Sequence, residues 1–243
     1  MFVQARAGRC RADLPEEGKN MLKKDTIPTS QGDLEITFIT HGTLMMSWGG
    51  LVIHVDPISE GAPDYKTLPK ADLVLVTHDH YDHLDSEVID ILKKPDTAIV
   101  YSAKCGAKYP GGVVMKNGET RTVKGIPIEA APAYNIKHMK APGQPFHPKG
   151  ECNGYILTFG DKRVYVAADT ENIPEMKALK AIDVAFLPMN LPYTMTPEMV
   201  ADAAKAFRPK ILYPYHYGDT DPARLTVLLR DEKEIEVRIR DLR

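Results

Sequence analysis

Cysteine is scarce: Cys10, Cys105 and Cys152 are the whole supply in 243 residues. Three widely spaced thiols make no disulfide framework, and no C-x-x-C pair offers a thiolate metal site. Free thiols suit a reducing compartment. No apolar run approaches the roughly 20 residues that span a bilayer, which excludes a transmembrane helix. The first thirty residues carry Arg6, Arg9 and Arg11 but lack the apolar stretch of a secretory leader. The expectation is a cytoplasmic location, or a periplasmic one if a leader precedes this chain. Excess charge is also lacking. The net charge of -2 comes with no basic stripe of the kind a nucleic-acid binder shows, so no nucleic-acid partner is expected. The oligomeric state is open.

What is present is an ordinary globular composition, 43% hydrophobic and 26% charged. Residues 1–32 are polar and broken by Pro15, Gly18, Pro28 and Gly32, and read as a loosely ordered arm. Residues 33–243 read as one domain. It opens with strands at 34–40, 44–48 and 51–55, the last two joined by Gly49-Gly50. An apolar run at 72–76 reads as a buried strand. Asp85 is placed to cap a helix carrying Val88, Ile89, Ile91 and Leu92, which Pro95 stops. Short strands follow at 98–101, 113–115, 120–123 and 126–130. A long loop over 132–152 holds four prolines. The second half repeats the rhythm, with strands at 154–159, 163–167, 183–187, 210–213 and 235–239. Helices are expected at 174–179, at 197–207 behind a Thr196 cap, and at 224–229. Each half runs from meandering strands into alternating strand and helix. The fold class is therefore α/β of the α+β type, a single-domain, four-layer αββα sandwich.

The densest chemistry lies in Thr77-His78-Asp79-His80-Tyr81-Asp82-His83. Residues two apart on an extended chain project to one side. His78 and His80 can thus grip one metal, while Asp82 and His83, where the chain turns, can face a second. Imidazole suits zinc, iron, nickel and copper, and added carboxylates admit manganese.

This pattern resembles the metallo-β-lactamase superfamily, whose mark is H-x-H-x-D-H after a strand. The resemblance runs from about Leu34 onward. It is nearest the UlaG-like group that includes an ascorbate-6-phosphate lactonase and the N-acyl-phosphatidylethanolamine phospholipase D enzymes. Ile39-Thr40-His41-Gly42-Thr43 and the strand ending in Asp56-Pro57 carry that likeness. Asp169-Thr170 resembles the group's G-D-T element, with Ala168 in place of glycine. The resemblance implies that His78, His80 and a third histidine hold one metal, that Asp82, His83 and a late histidine hold the other, and that Asp169 bridges them. The late histidine is His216. For the third, the 132–152 loop offers His147, adopted here, or His138. Tyr134 or Asn135 could instead fill that place or support it. Asp56 is a candidate to orient a ligand, and His54 reads as structural.

The expected activity is metal-dependent hydrolysis of an ester, lactone or phosphodiester-type bond in a small molecule. Two divalent ions, zinc with manganese or iron as alternatives, would hold a bridging hydroxide as nucleophile. Asp82 and His41 are the catalytic candidates, Asp82 for orienting or passing a proton and His41 for meeting substrate. Tyr193, Tyr213, Tyr215 and Tyr217 are candidates to line the pocket. The resemblance leaves two rivals: a mononuclear iron oxygenase of the persulfide-dioxygenase type, and a non-catalytic metal-binding relative.

Overall fold

A computed structural model describes residues 22–243. Two seven-stranded sheets dominate it. The first holds, in sequential order, β1 (Lys24–Ile27), β2 (Leu34–Thr40), β3 (Thr43–Trp48), β4 (Leu51–Val55), β5 (Leu73–Val76), β6 (Ala98–Tyr101) and β7 (Val113–Val114). The second is built from β8 (Thr120–Val123), β9 (Ile126–Ala133), β12 (Cys152–Phe159), β13 (Lys162–Val166), β14 (Val184–Pro188), β15 (Ile211–Tyr215) and β16 (Glu236–Val237). Between β9 and β12 lies a small hairpin of β10 (Met139–Ala141) and β11 (Gln144–Pro145).

Both sheets follow one plan. Four antiparallel strands come first, and the remainder are added in parallel. Trp48 pairs with Leu51 across Gly49-Gly50, whose φ values of 56° and 81° suit the tight hairpin that only glycine closes without cost. Parallel additions need crossovers, which α1 (Ser86–Leu92), α2 (Ala103–Lys108), α3 (Pro174–Lys177), α4 (Pro197–Phe207) and α5 (Ala223–Leu228) help supply. Asp85 caps α1 by accepting from the N–H groups of Glu87 and Val88. Thr196 caps α4 by accepting from Met199.

The strand period decides the layers. On β5, Leu73 and Leu75 face the core between the sheets, while Val74 and Val76 pack beneath Val88, Ile89 and Leu92 of α1. This strand is buried on both faces, as its unbroken apolar run requires. On the other side, Tyr165 meets Phe207 of α4 edge-on. The expected four-layer αββα arrangement is the observed one.

Four details differ from expectation. The arm expected over 1–32 ends instead in β1, which pairs with β2; residues 1–21 of it lie outside the described residues. Asp25 anchors β1, because its carboxylate accepts from both Arg240 and Tyr213. The 132–152 loop contains the β10–β11 hairpin, too short to show as a period. Helix α2 was not foreseen, and the strand expected at 235–239 is only two residues long. Among the described residues, no helix is long and apolar enough to cross a membrane.

Candidate metal centre

The parallel strands set the site, because loops at their carboxyl ends converge. Asp56 follows β4, Thr77 to His83 follow β5, Asp169 follows β13 and His216 follows β15. The chain reaches the site through unusual backbone. His41, Asp56, Ala168 and His216 all have positive φ, between 44° and 62°. Left-handed backbone at non-glycine residues costs about 1–3 kcal/mol each and persists where the surroundings over-determine it.

Asp56 is the buried anchor. It accepts from the Thr77 N–H and hydroxyl, each at 2.7 Å, and from His83 Nδ1 at 2.8 Å. The His83 tautomer is thereby fixed, and its Nε2 is aimed inward. Across the sheets, the Asn153 N–H donates to the Thr77 carbonyl at 2.9 Å, and Tyr155 donates to the Val76 carbonyl at 2.9 Å. The second sheet thus grips the strand end that carries the histidines.

Two groups of donors result. In the first, His78, His80 and His147 bring ligand atoms within 4.8 Å of one another. The second gathers His41, Asp82, His83 and His216 within the same limit. Asp169 stands between them. Its Oδ2 lies 3.3 Å from His147 Nε2 and 4.0 Å from His78 Nε2. Its Oδ1 lies 3.4 Å from His216 Nε2 and 3.6 Å from His83 Nε2. Each carboxylate oxygen faces one group.

Several of these atoms are buried without a hydrogen-bond partner: Nε2 of His83, His147 and His216, and Oδ1 of Asp169. An unsatisfied buried polar atom costs about 1–3 kcal/mol. Four orphans gathered around Asp169 fit bound cations.

The electrostatics agree. Burial, with His83 beside it, holds His78 well below the usual imidazole range, so it is a neutral donor. Burial and His147 lower His80 likewise. Burial opposes charge on Asp169, yet His216, His83 and His147 hold its carboxyl well below the usual range. Burial also opposes a charged His83, but Asp169, Asp56 and Asp82 outweigh it and push the ring up to about 9. Three carboxylates thus demand positive charge here, met by a proton or by a metal ion.

A family profile described as the β-lactamase superfamily domain matches residues 35–216. The chain belongs to the metallo-β-lactamase superfamily. It is 29% identical to a UPF0173 metal-dependent hydrolase of Pelotomaculum thermopropionicum, over 85% of this chain and 96% of that one. A proposed metal-dependent hydrolase from Parabacteroides distasonis is 51% identical, with a TM-score of 0.87 over 91% of this chain and all of that one. Igni18, a metallo hydrolase of Ignicoccus hospitalis, is 25% identical with a TM-score of 0.70, covering 86% and 95%. This metallo-β-lactamase superfamily member is a metal-dependent hydrolase.

In this hydrolase all seven expected metal positions meet: His78, His80, Asp82, His83, His147, Asp169 and His216. His138 does not join them. Its Nδ1 turns to the Thr194 carbonyl at 2.7 Å and to Glu171 at 3.0 Å. His54 is structural, as expected: its Nε2 donates to the Pro69 carbonyl on the outer face of the first sheet, and burial lowers it to about 4. The tyrosines correct expectation. Tyr213 donates to Asp25, Tyr215 accepts from the Ala168 N–H, and Tyr217 donates to the Arg240 carbonyl. None of those three hydroxyls is free to meet a substrate. Of the four, Tyr193 alone is exposed, packed edge-on against Phe146 beside His147.

Sequence reading missed three contributors. Thr77 joins Asp56 to the motif. Gly42 leaves room for imidazole: a Cβ there would lie 3.1 Å from His83 Cε1 and 3.7 Å from His216 Cδ2. Glu171 is buried and holds the loop before His138. The one available signal for Glu171 was its place two residues past Asp169.

Proposed function

We propose that the centre holds two divalent ions, zinc or alternatively manganese or iron, and hydrolyses an ester, lactone or phosphodiester-type bond in a small molecule. The observation carrying this reading is Asp169, whose two oxygens face two separate donor groups. His78, His80 and His147 would hold one ion, Asp82, His83 and His216 the other, and Asp169 both. When bound, such ions supply a water acidic enough to lose a proton near neutral pH, and polarise the oxygen of the scissile bond.

The protein's own part lies with Asp82 and His41. Asp82 Oδ2 is 3.4 Å from His41 Nε2. The other ring nitrogen of His41, Nδ1, donates to the main-chain oxygen of Arg243 at 3.1 Å. With that N–H committed, a hydrogen bond between Nε2 and Asp82 needs a further proton on the ring, since, against burial, neighbouring histidines hold the Asp82 carboxyl well below the usual range. The pair is thus suited to hold one proton and pass it to a leaving group. Both side chains are partly open to solvent, unlike the buried histidines around them.

The segments around His80 and His147 suggest the substrate's character. Among the described residues, Tyr81, Ile136, Met139, Leu191 and Tyr193 expose large apolar side chains on the segments that frame His80 and His147. Apolar side chains on the segments around a site favour a substrate with an apolar portion. The substrate carries an apolar portion beside its scissile bond. An iron oxygenase with one ion would leave His216 without a role, although its buried Nε2 faces Asp169.

The test is metal content by plasma mass spectrometry on protein purified without chelator, with a panel of lactones, aryl esters and bis-p-nitrophenyl phosphate. Two ions per chain and turnover of one substrate class support the reading. One iron per chain, with silence across the panel, overturns it.

A further inference from the structure

We propose that Asn135 and Glu171 form a positioning pair that sets the orientation and tautomer of His147, and thereby the metal affinity of the His78–His80–His147 group. The inference rests on the reading of His147 as a ligand.

Asn135 holds His147 three times. Its Oδ1 accepts from His147 Nδ1 at 2.8 Å and from the His147 backbone N–H at 2.8 Å, and its own N–H donates to the His147 carbonyl at 2.9 Å. Backbone and ring are fixed by one residue. The far end of the amide is equally constrained. Nδ2 donates to the Tyr193 carbonyl at 2.8 Å and to Glu171 Oε1 at 3.3 Å. Two acceptors at that end force the NH2 to lie there, so the carbonyl oxygen must face His147. An oxygen can only accept. Nδ1 of His147 therefore carries the proton, and Nε2 presents its lone pair toward Asp169.

Glu171 keeps this arrangement in place. The N–H groups of Ile136, Lys137 and His138 donate to its carboxylate at 2.9, 2.8 and 2.6 Å. Three successive amides aimed at one buried carboxylate form an anion nest. The turn following Asn135 is wrapped around Glu171. Because Glu171 follows Asp169 by two residues, the segment that supplies the shared carboxylate also steadies the third histidine. Thr170 adds to the join, accepting from the Tyr134 N–H at 3.1 Å.

Asn135→Ala removes the acceptor on Nδ1 without adding or removing a charge. The expected result is a 10–100-fold loss of zinc affinity, measured by competition with a chromophoric chelator. Cobalt-loaded protein should show a changed visible spectrum. In metal-free protein, nitrogen-15 histidine NMR should show His147 as the Nδ1–H tautomer in the wild type and as a mixture in Asn135→Ala. Glu171→Gln should weaken zinc binding in the same direction, and the double variant should lose no more than the worse single, since both act through one amide. If Glu171→Gln does not fold, Asn135→Ala and Asn135→Ser decide the matter by themselves. Folded Asn135 variants with wild-type zinc affinity and an unchanged His147 tautomer would overturn the proposal. A wild type that binds no zinc would instead sink the metal reading of His147, while the tautomer measurement still judges the positioning pair.

Discussion

Gly42→Ala is a clean test of the second donor group, because it adds one methyl and changes no charge. Gly42 is not among the residues with positive φ, so alanine takes its backbone conformation freely. The new Cβ would lie 3.1 Å from His83 Cε1 and 3.5 Å from its Nδ1. Carbon atoms prefer about 3.5–4.0 Å, so the ring must retreat by roughly half an ångström. It has little room, since Nδ1 is bound to Asp56 at 2.8 Å and Asp56 is itself tied to Thr77. Ligand distances to zinc tolerate only about 0.2 Å. A displaced ligand should therefore cost about as much as a lost supporting contact, roughly 10–100-fold in affinity, or about 1.4–2.8 kcal/mol. The assay is zinc competition against a chromophoric chelator, with the unfolding midpoint of metal-free protein as the control. That midpoint should move little. Undiminished zinc affinity in folded Gly42→Ala would refute the claim that His83 and His216 hold an ion through the atoms identified here.

Other outcomes follow from separate parts of the molecule. His54 has a folded value near 4 against an unfolded value near 6.5, so its contribution is complete above pH 6.5 and fades as pH falls towards 4. The two and a half units correspond to about 3 kcal/mol at most; His54→Leu should flatten the unfolding free energy across that window in urea melts. Asp169→Asn should lower metal stoichiometry by plasma mass spectrometry, since one side chain faces both groups; a variant that still takes up two ions at wild-type affinity contradicts the bridging role. Asp25→Ala should cost about 1–3 kcal/mol by removing charge-assisted bonds to Arg240 and Tyr213. Hydrogen exchange should show β1 amides opening first, and uniform protection would count against the Asp25 anchor.

The sequence carried a good deal of this. Candidate ligands that follow a strand directly can be read locally, and the structure brings them together: His78, His80, Asp82 and His83 after β5, Asp169 after β13 and His216 after β15. A strand's period and its end can be read locally. His147 and His138 could not be separated that way, because they sit on either side of a hairpin with no apolar period, and the choice is made by Asn135 and Glu171. Strand β1 was hidden for a similar reason: Asp25 is held by Arg240, 215 residues away. Tyr213 was assigned to the pocket from its neighbourhood, yet strand alternation turns it inward onto Phe186, with ring centroids 4.8 Å apart. Contacts between distant segments, such as Thr77 with Asp56 or Gly42 with His83, leave no mark on local composition.

The division of the centre between two sheets also has a consequence in time. The histidines of the first motif leave the ribosome well before Asp169 and His216 do. At about 5–20 residues per second, the interval from His83 to His216 is on the order of ten seconds. Throughout it the nascent chain carries half a centre, with Thr77 not yet gripped by Asn153 and the Asp169 carboxylate not yet made. The complete donor set first exists when the last parallel strands dock. The complete set of candidate donors is therefore a late product of synthesis, set by the closing of the second sheet and not by the emergence of the histidine cluster.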